Sequence, residues 1–311
     1  MIVDVLKASK MIQKGDVVAI PTETVYGLAA DAMNAEAVKK TFQLKKRPAD
    51  NPLIVHISDL DQLDSIAKTV PPAARKLADA FWPGPITLVM AKDARVPDVV
   101  TGGLGTVAVR MPDHQMALHL IRLTGPLTAP SANRSGRPSP TRVSHITEDF
   151  GNQLAILDGG DCKIGLESTV LDITSKTPKI LRPGAISKEM IEKILETNVQ
   201  ERVGEYEEKP SSPGVKYSHY KPKARVIWIS TIPDSVNNST YYLIHSDSKE
   251  FKQTNVIGYR GNFEKMAREL YDQFRTADHL AYSFIAVESL PANKISPVLS
   301  ALRDRINRAA G

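Results

Sequence analysis

Short apolar runs bounded by polar or turn-forming residues recur along the first two thirds of the chain. They lie at 17–20 (VVAI), 53–57 (LIVHI), 86–90 (ITLVM), 106–110 (TVAVR), 127–130 (LTAP), 154–158 (LAILD), 169–173 (TVLDI) and 179–182 (KILR), and they predict strands. Apolar residues at helical spacing predict helices over 35–45, 59–69, 71–80, 115–124, 141–150 and 187–196. The opening MIVDVLKASKMIQKGD reads as a short amphipathic helix, without the long apolar core of a signal peptide. Some neighbouring strands have no helix between them, so the pattern predicts an α/β fold on a twisted mixed sheet rather than a purely parallel one.

At residues 197–224 the pattern changes to a polar stretch rich in Pro, Ser, Gly and Lys, with SPGVKYSHYKP at its centre. Beyond it, 225–230 (RVIWIS), 241–246 (YYLIHS), 255–259 (NVIGY) and 281–289 (AYSFIAVES) alternate with helical patterns at 262–278 and 296–310. The expected organisation is a first domain over 1–200, a linker over 201–223, and a smaller Rossmann-like α/β domain with a parallel sheet over 224–311.

Composition narrows this picture only slightly. The 311 residues are 42% hydrophobic and 24% charged, ordinary values for a globular protein with a sizeable core. No window approaches the roughly 18 unbroken apolar residues of a membrane span. The single cysteine, Cys162, excludes an internal disulfide and a cysteine-cluster zinc site, and the expected location is the cytoplasm. The net charge of +5 permits phosphate contact, but the basic residues are interspersed with acids.

Candidate chemistry concentrates in three places. Between Ile20 and His56 a strand breaks at Pro21 into Thr22, Thr24 and Tyr26, closed by Gly27; a helix then ends in Lys45, Lys46 and Arg47, and a strand carrying His56 follows. Read as one βαβ unit, this sets hydroxyls and cations across strand ends, which suits an anionic ligand. The second place is TAPSANRSGRPSPT (128–141), a strand running into hydroxyls, Arg134 and Arg137, with Ser139 and Pro140 placed to start a helix over a phosphate. The third comprises Arg110, Ser168, Thr169 and Arg182; an arginine ending an apolar strand needs an anionic partner, here read as a carboxylate or a phosphate of the ligand. There is no Walker A or GxGxxG motif, no HExxH, and no carboxylate pair placed for acid–base work. Arginines and hydroxyls without a nucleophile or base suit nucleotidyl transfer, in which the protein positions reactants and screens charge.

At these residues the chain resembles the YrdC-like family in its longer, two-domain L-threonylcarbamoyladenylate synthase form. The resemblance rests on PTETVYGLA (21–29), KKRPADNPLIVHI (45–57), FWPGPITLV (81–89), VAVRMP (107–112), APSANRSGRPSPT (129–141), ESTVLD (167–172), LRPGAI (181–186) and SPGVKYSHYKP (212–222). It implies the YrdC-like sheet and a nucleotidyltransferase reaction in which L-threonine, bicarbonate or CO2, and ATP give threonylcarbamoyl-AMP and pyrophosphate. The adenylate would supply the threonylcarbamoyl group on adenosine 37 of tRNAs reading codons that begin with A, through a downstream tRNA-modifying transferase. By resemblance Thr24, His56, Arg110 and Ser168 would hold threonine. Lys45, Arg47, Asn51, Thr106, Ser131, Asn133, Thr141 and Arg182 would line the ATP side, and Tyr217 or Tyr220 would close over the pocket from the linker. No catalytic residue is assigned, and Mg2+ is expected through the ATP phosphates rather than a protein cage.

Two other readings compete with it. A double-stranded RNA or tRNA-binding module without catalysis would need a block of cations interleaved with aromatics, and none is present, although tRNA contact is left open. A carbamoyltransfer domain of the hydrogenase-maturation kind would carry cysteine-rich zinc segments, and this chain has one cysteine.

Overall fold

The computed structural model describes residues 1–201, 220–233, 235–246, 253–292 and 296–311. In chain order the larger sheet holds β1 (Ile2–Val3), β2 (Val18–Ile20), β3 (Gly27–Asp31), β4 (Ile54–His56), β5 (Ile86–Ala91), β6 (Thr106–Arg110), β7 (Leu127–Thr128), β8 (Ala155–Leu157), β9 (Thr169–Asp172), β10 (Lys179–Arg182) and β11 (Gln200–Glu201). The second sheet holds β12 (Arg225–Ile229), β13 (Thr240–Ile244), β14 (Val256–Gly258) and β15 (Phe284–Glu288). The helices among the described residues are α1 (Val5–Gln13), α2 (Ala35–Lys45), α3 (Pro72–Phe81), α4 (Asp98–Thr101), α5 (Gln115–Thr124), α6 (Val143–Phe150), α7 (Lys188–Leu195), α8 (Phe263–His279) and α9 (Leu299–Ala310).

The larger sheet is mixed, in the order β1-β8-β2-β3-β7-β4-β6-β5-β9-β10-β11, and the smaller, β12-β15-β13-β14, is parallel throughout. Both follow the expected α/β class. Side chains alternate between the faces of the large sheet: Val18 and Ile20 pack with Ile12, Leu120 and Leu157, whereas Ala19 packs with Leu28, Ile146 and Ile156 on the other side. Strand β5 is apolar almost throughout: Ile86, Leu88 and Met90 enter the main core with α3, and Val89 packs on the other face against Ile54, Ala108, Val170 and Leu181 of neighbouring strands. A further core surrounds α8 and α9 and takes in Val25 and Leu166 from the first sheet's loops, so the two sheets share one apolar seam. Backbones touch there: Gly165 sits at φ +80°, and a Cβ on it would lie 2.4 Å from the Arg268 Cα.

Three local expectations are corrected. The unit from Ile20 to His56 is ββαβ: β3 folds back antiparallel on β2, and the crossover through α2 runs from β3, not β2, to the parallel β4, with β7 between them. The GLAAD sequence of β3 carries none of the β-branched or aromatic residues that signal a strand. The helix expected over 59–69 is only a 3-10 stretch, Leu60–Ser65, started by Asp59 accepting from the Asp61 amide and ended as Ala67 bridges to Lys92. The helix expected from Ser139 begins at Val143, since the Ser139 hydroxyl donates instead to Glu167 Oε1 at 2.6 Å.

Candidate functional site

The turn between β2 and β3 is built by its own hydroxyls. Thr22 Oγ1 accepts from the Thr24 and Val25 amides, donates to the Val25 carbonyl at 2.7 Å, and lies 2.8 Å from Thr24 Oγ1. Thr24 thereby meets Arg110, at the end of β6, whose Nη1 donates to Thr24 Oγ1 at 2.9 Å and whose Nε donates to the Gly84 carbonyl at 3.2 Å. Parallel pairing of β4 with β6 sets His56 beside Arg110. Across β5 and β9, Thr87 Oγ1 lies 2.8 Å from Ser168 Oγ, and Arg182 of β10 donates to the Ser168 carbonyl and hydroxyl.

These residues converge on a narrow cleft of about 60 Å³ lined by Thr22, Thr24, Arg47, His56, Arg110, Ser131, Glu167, Ser168, Arg182 and Tyr220 together with apolar neighbours. Roomier hollows of about 570 and 640 Å³ lie elsewhere, but neither gathers buried cations and hydroxyls as this one does. Thr24, His56, Arg110 and Ser168 all line the cleft, as do Arg47, Ser131, Arg182 and Tyr220.

The remaining residues named from the sequence lie elsewhere. The Lys45 ammonium is buried beneath the loop after β7 and donates to the Ser131 carbonyl at 2.5 Å and the Asn133 carbonyl at 2.7 Å. Asn133 holds the same loop by donating to the Arg134 and Arg137 carbonyls. Asn51 is buried outside the cleft wall, and Thr106 stands at the far end of β6 from Arg110. Thr141 is buried in a separate crevice with Arg142, Asp161 and Arg268. Tyr217 lies outside the described residues. Tyr26 points away, donating to the Gly160 carbonyl. Arg134 stacks on Phe150, and Arg137 pairs with Glu148 and Asp149, so this pair braces α6 rather than facing a phosphate in the cleft.

Several residues at the site were not singled out from the sequence. Glu23 pairs with Arg110 at 2.6 Å, both fully buried, and so supplies from within the chain the anion that Arg110 needs. The signal was an acid amid IPTETVYGLAA, which cannot be buried alone. Glu167 accepts from Ser139, from Tyr271 Oη at 2.9 Å and from Arg305 Nε at 2.7 Å. Tyr271 lies on α8 and Arg305 on α9, so both reach the cleft wall from the second sheet's side. Tyr220, at φ +66°, stacks on Tyr271 at 5.4 Å and lies under the Arg305 guanidinium at 5.3 Å.

Electrostatics sort these groups. Burial, then the neighbouring Arg110, lowers His56 to about 3, so its ring is neutral at pH 7. Nδ1 lies 3.3 Å from the Ile54 carbonyl, which can only accept; Nδ1 therefore carries the proton and Nε2 is left as an acceptor. Burial would raise Glu167, but Arg305 and Arg182, with the Ser139 hydroxyl, bring it down to about 2. Burial pushes the Cys162 thiol up to about 12, which removes it as a nucleophile.

Both shifts have the same sign for stability. Unfolded His56 gains a proton as pH falls below 6.5, and the folded ring resists until about 3. Unfolded Glu167 gains one below 4.5, and the folded carboxylate resists until about 2. The stability these two groups contribute is therefore full above pH 6.5 and is lost in two stages below it. Thermal melts between pH 7 and pH 3 should show the decline, and His56→Gln should shrink its upper stage without removing it, because burial also lowers His114 and His145.

Residues 10–184 match the Sua5/YciO/YrdC family, described as Telomere recombination, and residues 186–311 match the family described as Threonylcarbamoyl-AMP synthase, C-terminal domain. The threonylcarbamoyl-AMP synthase of Pyrococcus abyssi is 44% identical, over 98% of this chain and 93% of its own. That of Bacillus subtilis is 40% identical, over 99% of this chain and 93% of its own. The crystal structure of P. abyssi Sua5 complexed with L-threonine superposes with a TM-score of 0.91 at 40% identity, covering 100% of this chain and 98% of that one. The chain belongs to the Sua5/YciO/YrdC family and carries the C-terminal domain of the threonylcarbamoyl-AMP synthases.

Proposed function

We propose that this protein joins L-threonine, bicarbonate or CO2, and ATP into threonylcarbamoyl-AMP, releasing pyrophosphate. The observation that carries the reading is the cleft itself, where Arg110, Arg182 and Arg47 meet Thr24, Ser131, Ser168 and a neutral His56. The neutral threonine amine adds to CO2 to give a carbamate, its proton passing to solvent; a carbamate oxygen attacks the α-phosphorus of ATP as the bond to the bridging oxygen breaks, and pyrophosphate leaves. Arg110 would take the threonine carboxylate, its orientation fixed by Glu23 and Thr24, while neutral His56 accepts a hydrogen bond from a threonine donor. Arg47, Ser131, Arg182 and Tyr220 would face the nucleotide. Lys45 and Asn133 would serve from behind, by fixing the loop that carries Ser131. Asn51, Thr106 and Thr141 would join the ATP side only as the cleft widens, which nucleotide entry into so small a space requires. The lid role expected of the linker falls mostly on residues outside those described; Tyr220 is its described end.

Both carboxylates of the cleft region, Glu23 and Glu167, are engaged by arginines, so neither is offered to a metal. Among the described residues no three His, Cys, Asp or Glu side chains group to hold one. Magnesium would arrive with ATP, held by its phosphates, where it supplies charge neutralisation. Among the described residues of the cleft neither carboxylate is offered as a base, which suits a reaction run by alignment and charge screening. The product would pass to a transferase that modifies tRNA, in the cytoplasm; no helix among the described residues is long and apolar enough to cross a membrane.

The test is mass spectrometry of purified protein with ATP, magnesium, bicarbonate and L-threonine, trapping the adenylate early. Adenylate and pyrophosphate should form in equal amounts and vanish when threonine or bicarbonate is omitted. Pyrophosphate without threonine dependence would mean another acceptor. No turnover, with salt-sensitive RNA binding, would favour the binding-module reading.

A further inference from the structure

Glu167 presents a difficulty for a cleft that is to hold a triphosphate. It lines the wall, is ionised, and stands near Arg182. A carboxylate there repels phosphate and draws on the field of the neighbouring arginine. What opposes it comes from the helices of the second sheet. Arg305, on α9 and 138 residues from Glu167, is fully buried and donates through Nε to Glu167 Oε2 at 2.7 Å. Its other nitrogens are fixed as well: Nη1 pairs with Asp304, and Nη2 donates to the Pro183 carbonyl at 3.0 Å. The guanidinium therefore stays against both the carboxylate and the Tyr220 ring that lines the same cleft.

We propose that Arg305 is a positioning residue for nucleotide binding, which cancels the Glu167 charge on the cleft wall so that the wall accepts the phosphates of ATP. This rests on the reading of the cleft as an ATP site. Arg305 does not touch the ligand; it acts through Glu167 and through the ring of Tyr220. The second sheet's domain thus sets the charge of a site built mainly on the first sheet. A purely mechanical clamp between the two sheets would use the same contact but would not discriminate between substrates.

The experiment compares the parent, Arg305→Met, Arg305→Lys, Glu167→Gln and the double variant Glu167→Gln/Arg305→Met in the full chain. Steady-state kinetics are read beside thermal melts that report the folded fraction. Turnover by the parent decides the ATP reading independently; ratios between variants decide this one. Arg305→Met should raise the KM for ATP about tenfold or more, with kcat and the KM for threonine moving less than about threefold, as loss of one unit charge near the phosphates requires. Arg305→Lys should recover part of that loss, and the double variant should return the KM for ATP to within about threefold of the parent. A double variant as poor as Arg305→Met, or equal rises in the KM for ATP and the KM for threonine in a folded Arg305→Met, would overturn the proposal. If Arg305→Met does not fold, Glu167→Gln alone still decides: a KM for ATP at or below the parent's supports the proposal, and a rise refutes it.

Discussion

Arg110→Ala should all but abolish threonine use, raising the KM for L-threonine about 100-fold while the KM for ATP moves less than about threefold. Arg110 is the cation beside His56 and Thr24, at the end of the cleft proposed for threonine, whereas Arg182 and Arg47 are the cations proposed for the nucleotide. The variant will also be less stable, because the Glu23 carboxylate, paired at 2.6 Å, is left buried without its partner. Stranding one member of such a pair costs about 3–5 kcal/mol. The comparison that separates the two effects is Arg110→Ala with Glu23→Gln. The second substitution removes the stranded charge and should recover most of the stability, yet threonine binding should stay lost. Equal rises in both Michaelis constants would remove Arg110 as the carboxylate partner. Recovery of threonine binding in the double variant would show that Arg110 matters only as a counter-ion to Glu23.

The largest purely structural effect should come from Arg275→Met. Arg275 on α8 is 1% exposed at its side chain and holds both oxygens of the fully buried Asp149 at 3.1 Å. It also reaches Glu148 at 2.9 Å and the Pro138 carbonyl at 2.6 Å, and so ties the second sheet's main helix to α6 and to the loop after β7. Its loss should destabilise the fold by about 3 kcal/mol, the lower end of the range because Arg137 still pairs with Asp149 at 2.6 Å. Arg137→Met, at a half-buried guanidinium, should cost less than about 1 kcal/mol. Urea unfolding checks both, provided the slope with denaturant is unchanged. Similar midpoints for the two variants would mean that Arg275 is not the main tie.

What the sequence disclosed follows the physics of each signal. Strands β5, β6 and β10 and helices α2 and α5 match their expected bounds within a residue, because apolar spacing and flanking turns agree there. β3 stayed hidden because glycine and alanine carry no strand preference, and without it the order of β2, β7 and β4 could not be derived. Arg110 was recognised as needing an anion, but Glu23 comes from a turn 87 positions earlier, and no local pattern links the two. Lys45 illustrates a different limit: spacing can place a cation near a loop but cannot tell whether its ammonium faces the ligand or the loop's own carbonyls. Tyr271, Arg275 and Arg305 were missed because polar residues on an amphipathic helix are ordinarily assigned to solvent, and here they face the seam between the sheets.

The placement of β8 between β1 and β2 has a consequence for biosynthesis. Residues 2–3 and 18–19 share no ladder with each other; both pair with residues 155–157. As the chain emerges from the ribosome, β2 can fold back with β3, but its other edge, apolar and fully buried in the finished fold, waits for Ala155. At roughly 5–20 residues per second that interval lasts on the order of 10 s. An unpaired strand edge exposed for that long is a site for mispairing between nascent chains. Ribosome-bound chains stalled before Ala155 should therefore recruit holding chaperones, and those stalled well past Leu157 should release them.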